Sequence, residues 1–309
     1  MKKRTGIYLK TLWLAVAVAT AAPAGAETVS IYYHLDTPQY EFAAGDVKAA
    51  LEALGFKVEV HGVGTLSERE QGRKVVIASA SETAVLEQLN KAGGDPLPGL
   101  GEQAYALRTT TVPQLSYWVV GGDANGAMYG GLQLAEHIRF NGGSNTYNEA
   151  EAPHLKNRGV KFNIPLDKKA PTYFYGSKGT SHKEAIRHVW DMDFWTTWFD
   201  EMARHRYNVL SLWSPHPFTS MINMEDEYPG IAIRGVTGFD AEGRPVKIND
   251  MTIDEKTAFW QKVMEYGRDR GFSVYILTWN IFLSTAKGMH DLSCDPEDPE
   301  TRLYLRKCV

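Results

Sequence analysis

The stretch Tyr207-Asn208-Val209-Leu210-Ser211-Leu212-Trp213-Ser214-Pro215-His216 decides how the second half of the chain is read. Val209 to Trp213 is a short, nearly continuous apolar run bounded by turn-forming residues. That is the pattern of a strand covered on both faces, as in parallel sheets. Upstream, Val160 to Ile164 reads as another strand. Between the two, Asp193 is placed to cap a helix from Phe194 to about His205, with Phe194, Trp195, Trp198, Phe199 and Met202 at helical spacing. Downstream come a long loop carrying Glu225, Asp226 and Glu227, a helix from Thr257 to Arg268 and a strand from Ser273 to Trp279. A further helix is expected from Asp298 to Lys307. Six of the eight tryptophans lie between Trp190 and Trp279. The order β-α-β-α-β-α is the repeating unit of a (β/α)8 barrel, which takes about 250 residues. The expectation is therefore a partial barrel over 157–309, its first three βα units, with the remaining strands in a longer protein.

Ahead of this, Asn141-Gly142-Gly143-Ser144-Asn145 is a linker signal, and the texture before it differs. Val29 to Tyr33, Lys57 to Val63 and Lys74 to Ala78 read as strands. Phe42 to Leu54 reads as a helix burying Val47, Leu51 and Leu54, and Glu82 to Leu89 as a second helix. Ala104 to Val112 and Leu115 to Val120 form a hairpin around Pro113, and a last helix runs from about Ala127 to Phe140. The predicted unit, 27–152, is a non-catalytic α/β sandwich with a mixed sheet. Gly122, Gly126, Gly130 and Gly131 are spaced for tight packing under a helix start, with a phosphate cradle the lesser alternative.

Residues 1–26 have the order of a signal peptide: basic Lys2, Lys3 and Arg4, the apolar run Leu12 to Ala19, and small residues ending at Ala26. Cleavage there predicts a periplasmic or extracellular protein without a membrane anchor. Four of the 33 basic residues lie in this segment, so the net charge of −4 becomes −8 once it is removed. Such a balance does not point to a nucleic-acid partner, which calls for clustered positive charge. Cys294 and Cys308 are the only cysteines; export permits them to pair, and two separate thiols are the alternative. P-loop, dinucleotide-fingerprint, zinc and nucleophile-elbow motifs are missing, so the sequence calls for no metal and no cofactor.

The informative positions are the strand ends, because active sites of (β/α)8 barrels form at the carboxyl ends of their strands. The first strand is preceded by Arg158 and ends at Asn163. The second ends at Trp213 with His216 just beyond, and the third at Trp279-Asn280. Arginine, asparagine and histidine can hydrogen-bond sugar hydroxyls or a carboxylate. Trp213 and Trp279 offer flat faces to a sugar ring, or else fill the core. Glycoside hydrolysis ordinarily takes two carboxylates. Glu225, Asp226 and Glu227 lie in a loop, and with Asp291 and Asp295 they are poorly placed to supply them.

The helix Gly130-Gly131-Leu132-Gln133-Leu134-Ala135-Glu136-His137-Ile138, then Arg158-Gly159-Val160-Lys161-Phe162-Asn163, then Tyr207-Asn208-Val209-Leu210 resemble glycoside hydrolases of families 20 (β-hexosaminidases) and 67 (α-glucuronidases). The resemblance implies a non-catalytic α/β domain before a (β/α)8 barrel, a carbohydrate substrate, and catalytic acids on the fourth or later strands, beyond Val309. It also implies that Arg158 binds the terminal sugar, as the matching arginine does in hexosaminidases. Family 20 carries an aspartate where Asn163 stands, and His-Trp-His-Leu-Thr-Asp where Ser211 to His216 stand. These departures set the chain apart from an ordinary hexosaminidase, and the tryptophan-rich start of the barrel leans toward uronidase-like relatives. Two readings stand: the front part of an exported glycosidase acting on polysaccharide or oligosaccharide side chains, uronic-acid-containing ones among them, and a non-enzymatic carbohydrate-binding protein. On either, these 309 residues alone are expected not to hydrolyse glycosides.

Overall fold

The computed structural model describes residues 27–67, 72–170, 181–214, 218–230, 232–278, 295 and 297–308. The first 26 residues, and with them the expected cleavage site, lie outside this set.

The first layer system is a six-stranded mixed sheet. Its strands and helices are β1 (Thr28–Tyr33), α1 (Pro38–Ala53), β2 (Lys57–Gly62), β3 (Arg73–Ser79), α2 (Thr83–Lys91), β4 (Tyr105–Thr110), β5 (Ser116–Gly121), α3 (Ala124–Asn141) and β6 (Asn148–Glu151). The order across the sheet is β2-β1-β3-β5-β4-β6. The first four of these pair in parallel, while β4 runs antiparallel to both β5 and β6. β3 and β5 are apolar runs because both faces are covered. Val29, Ile31, Val75, Ile77 and Val119 face α1 and α3, while Tyr32, Val76, Trp118 and Val120 pack with Val85 and Leu89 of α2.

Pro38 opens α1, where its missing N–H costs nothing. The helix ends one residue short of Leu54, which is 47% exposed rather than on the core face. The four glycines of α3 and the turn before it serve close packing. A Cβ on Gly126 would lie 2.2 Å from the Ala104 carbonyl oxygen, and one on Gly131 would lie 2.7 Å from the Ala43 Cβ. β6 follows the Gly-Gly linker and is not legible as a strand in the sequence. Asn-Glu-Ala-Glu has no apolar alternation, since it is an exposed edge held to β4 by its backbone.

The second system is a three-stranded parallel sheet of β7 (Gly159–Asn163), β8 (Val209–Trp213) and β11 (Ser273–Leu277), in the order β11-β8-β7. Around it lie α4 (Ser181–Val189), α5 (Met192–Arg204), the short α6 (Phe218–Met221), the hairpin β9 (Val236–Phe239) and β10 (Pro245–Asn249), α7 (Ile253–Asp269) and α8 (Pro299–Lys307). The cap of α5 is Asp191, not Asp193. Asp191 Oδ1 accepts from the Asp193 N–H at 3.0 Å, so the helix begins ahead of the expected Phe194. α7 likewise begins at Ile253, behind a reciprocal box in which Thr252 and Glu255 each take the other's backbone N–H. The β9–β10 hairpin lies inside what reads as a long loop. Its turn is closed by Asp240, which accepts from the Arg244 backbone N–H and Nε, both at 2.7 Å.

Helices α5 and α7 cover one face of the parallel sheet with an aromatic cluster. Trp195 is fully buried, with Phe194, Trp198, Phe199, Trp260 and Phe162 of β7 at centroid distances of 5.1, 6.4, 6.1, 5.6 and 6.5 Å. Gly267 of α7 makes room for it, since a Cβ there would lie 2.7 Å from the Phe199 ring.

The mixed sheet's helices sit against the amino-terminal ends of the parallel strands. Asp46 of α1 forms a two-pronged pair with Arg204 of α5, at 3.0 and 3.1 Å. The ring of Phe42 is flanked by the guanidinium groups of Arg204 and Arg270 at 5.2 and 4.4 Å. Asn125 reaches the Gly271 carbonyl, and Gln39 the Arg268 carbonyl.

Candidate functional site

Strand register brings Asn163, Trp213 and Leu277 side by side at the carboxyl ends of β7, β8 and β11. Side chains alternate along each strand. Lys161 and Asn163 therefore share the face away from the aromatic helices, with Ser211 and Trp213 beside them. Lys161 Nζ donates to Asn163 Oδ1 and lies 5.1 Å from the Trp213 ring centroid. The ladder continues past the strands, with Ile164 N–H donating to the Trp213 carbonyl at 2.8 Å and Ser214 N–H to that of Leu277 at 3.1 Å. Trp213 is only 4% exposed, so it forms the floor beneath the lysine. The set can present an ammonium and a carboxamide to hydroxyls or a carboxylate. Lys161 is absent from the residues named from the sequence, although its position two residues before Asn163 on a strand carries the signal. His216, Trp279 and Asn280 lie outside the described residues.

Arg158 does not join this set. It stands at the opposite end of β7, and its guanidinium is committed to protein acceptors. Nε donates to the Arg206 carbonyl at 2.7 Å and one terminal nitrogen to Gln103 Oε1 at 2.8 Å; the other reaches the Leu155 and Lys156 carbonyls. Asn208 Nδ2 shares the same Gln103 oxygen at 3.0 Å. The guanidinium also lies 5.5 Å from the Tyr129 ring centroid. Burial pushes the Tyr129 phenol up, with the Arg158 charge opposing.

Of the acids named from the sequence, Glu225, Glu227 and Asp295 knit loops together. Glu225 accepts from the N–H groups of Gly230 and Ala232 at 3.0 and 3.2 Å. Lys307 donates to Glu227 at 3.0 Å and holds its carboxyl below the ordinary range. Asp295 accepts from the Glu297 N–H, and Asp291 lies outside the described residues. Cys308 is a buried thiol 3.4 Å from Met224 Sδ, and burial pushes it up to about 11; Cys294 lies outside the described residues. Among the described residues no group of three or more His, Cys, Asp or Glu side chains could hold a metal ion, and no helix is long and apolar enough to cross a membrane.

Behind the strand ends lies a fully buried cation. Lys256 of α7 donates to the Ile233 carbonyl and lies 5.5 Å from the Trp190 ring centroid. Asp167, also buried, accepts from the Thr237 N–H at 2.6 Å and ties β9 to the segment after β7. Burial lowers the Lys256 pKa to about 8 from 10.5, against the pull of Asp167. Between those values the unfolded chain holds a proton that the folded chain has released, so this group makes stability rise with pH across that window. At lower pH it withholds up to about 3 kcal/mol. Lys256→Met should erase that slope in urea titrations at pH 7, 8.5 and 10 compared with wild type. Equal slopes would show that the lysine keeps its ordinary proton affinity.

No protein-family model and no curated protein matches the chain. Solved structures do, and the likeness is one of fold: a mixed α/β chain folded like part of a glycoside hydrolase. A GH138 enzyme targeting pectin rhamnogalacturonan II is similar over 91% of this chain at a TM-score of 0.64 and 20% identity. The chain spans 36% of that enzyme's length. CpGH84D matches 91% of this chain and 38% of its own, at a TM-score of 0.46 and 11% identity.

Proposed function

We propose that the chain is the amino-terminal region of an exported glycoside hydrolase of the architecture seen in families 20 and 67. In this reading an α/β domain precedes the first βα units of a (β/α)8 barrel, and the substrate is a polysaccharide or oligosaccharide side chain, uronic-acid-containing ones included. The observation that carries the proposal is the register of β7, β8 and β11, which sets Lys161 and Asn163 over Trp213 where barrel enzymes build their active sites. The likeness to a pectin-directed enzyme supports a carbohydrate substrate. Lys161 would bind a substrate carboxylate or hydroxyl, with Asn163 orienting it. The described acids near this end are engaged in loop contacts, so the catalytic carboxylates are assigned to strands outside these 309 residues.

The test assays the full polypeptide and residues 27–309 against aryl glucuronides, galacturonides and N-acetylhexosaminides. Turnover by the full polypeptide alone is expected. Turnover by the short form, abolished by Glu225→Gln, would move the catalytic acid into the loop after β8. Binding without hydrolysis by either form would favour the carbohydrate-binding protein instead. Lys161→Met should raise KM for uronides by about 10- to 150-fold, the worth of a charged hydrogen bond, while changing neutral glycosides far less. An unchanged KM for both classes removes Lys161 from the site.

A further inference from the structure

A cavity of about 550 Å³ opens at the junction of the two sheets, within the range of about 300–1,000 Å³ typical of small-molecule sites. It lies at the amino-terminal end of β7, a strand length of about 16 Å from Asn163. It is therefore separate from the strand-end site, and its case stands on its own chemistry. Its lining includes Tyr105 and Tyr129, Gln103 and Gln133, and the charged residues Glu149, Glu151, Arg158 and Arg206.

Three observations make this more than a gap between layers. The Tyr129 side chain is nearly fully buried, yet its hydroxyl makes no hydrogen bond of ordinary geometry, with only the Arg158 guanidinium acting on it as a donor from nearby. A buried polar group left unpaired calls for an explanation. Gln103 and Arg206, with φ of 62° and 64°, are the two non-glycine residues in the left-handed region among the described residues, and both line this cavity. Such strain persists where the surroundings impose it, commonly at binding sites. Third, the lining charges balance in number, Arg158 and Arg206 against Glu149 and Glu151, and the inner ones are already met, Arg206 by Glu136 and Glu149 by His137, so neither an anion nor a cation is favoured. Amide, carboxylate and guanidinium groups lie beside two tyrosines, which suits a molecule whose groups both donate and accept around an apolar ring.

We propose that this junction cavity is a second, non-catalytic binding site for a neutral sugar unit, with Tyr129 supplying a hydrogen bond to a ring hydroxyl. Bound there, the sugar touches both sheets at once and anchors a glycan on the side of the molecule opposite the strand-end site.

The experiment titrates the full polypeptide with galactose, glucose and N-acetylglucosamine, and with galacturonate as the anionic probe, by saturation-transfer NMR and calorimetry. At least one neutral sugar should bind, and more tightly than galacturonate. Tyr129→Phe should weaken it about five- to tenfold, one hydrogen bond's worth, with little change in melting temperature, because the hydroxyl makes no hydrogen bond of ordinary geometry to lose. Glu151→Ala, on the exposed edge strand, should also weaken binding and poses no threat to folding. Asn163→Ala should leave it unchanged. Binding lost in Asn163→Ala but intact in Tyr129→Phe and Glu151→Ala would place all sugar at the strand ends and overturn the proposal while sparing the functional reading. No binding of any neutral sugar up to about 50 mM, where even millimolar sites saturate, would also overturn it. So would tighter binding of galacturonate.

Discussion

Trp195→Ala should lower stability by about 3–5 kcal/mol, the range for truncating a large buried aromatic. The indole is fully buried and is the common neighbour of five other rings drawn from β7, α5 and α7. Its Nε1 also donates to the Val189 carbonyl at 3.1 Å, and that acceptor would lose its partner. The hole cannot close easily, because Phe199 is already pressed against Gly267 on its far side. At about 2–4 °C per kcal/mol, the melting temperature should fall by about 6–20 °C. A fall of under about 2 °C would mean that the cluster repacks, and that the aromatic layer does not hold the parallel sheet to its helices.

The second large effect is expected at Arg158. Arg158→Met keeps the apolar stem but removes the donors to Arg206, Gln103, Leu155 and Lys156. Hydrogen bonds from a charged group contribute about 1.5–3 kcal/mol each, and partial exposure tempers the sum, so about 3–5 kcal/mol is expected overall. Urea unfolding followed separately by tryptophan and tyrosine signals should show a shifted and broadened transition, as the two sheets lose one of the joints between them. A sugar-binding role at the strand ends predicts something else: full stability and weakened binding of uronides there. A variant with wild-type stability would contradict the structural role.

What is legible in the sequence follows from the range of the interactions. β3 and β5 announce themselves because burial on two faces demands apolar residues in a row, while β8, expected to be covered on both faces, is fully buried only at Leu210, Leu212 and Trp213. β6 and the β9–β10 hairpin do not, being held by backbone pairing and by a turn that Asp240 closes. At the strand ends, Asn163 and Trp213 can be named in advance because they close their strands. Lys161 stands out only once alternation places it on the same face. The junction cavity is beyond sequence reading. Gln103, Arg158 and Asn208 are mutually hydrogen-bonded yet lie 50 to 105 residues apart, and no local pattern records such a meeting.

The joint at the lower ends of the parallel strands also bears on how the molecule comes into being. A polypeptide is delivered vectorially, whether it leaves a ribosome or threads through an export channel. The mixed sheet is complete at Glu151, seven residues before Arg158 appears, and Gln103 is by then already held in its turn by Asp123. At about 5–20 residues per second, roughly 3–12 s pass before β8 emerges, long enough for a small domain to form. In the finished fold a single Gln103 oxygen accepts from both Arg158 and Asn208, the residues just before β7 and β8, so a sheet formed first would offer the later strands a common anchor from below. Assembly in this order spares the parallel strands, whose pairing partners arrive last, from waiting bare in solution.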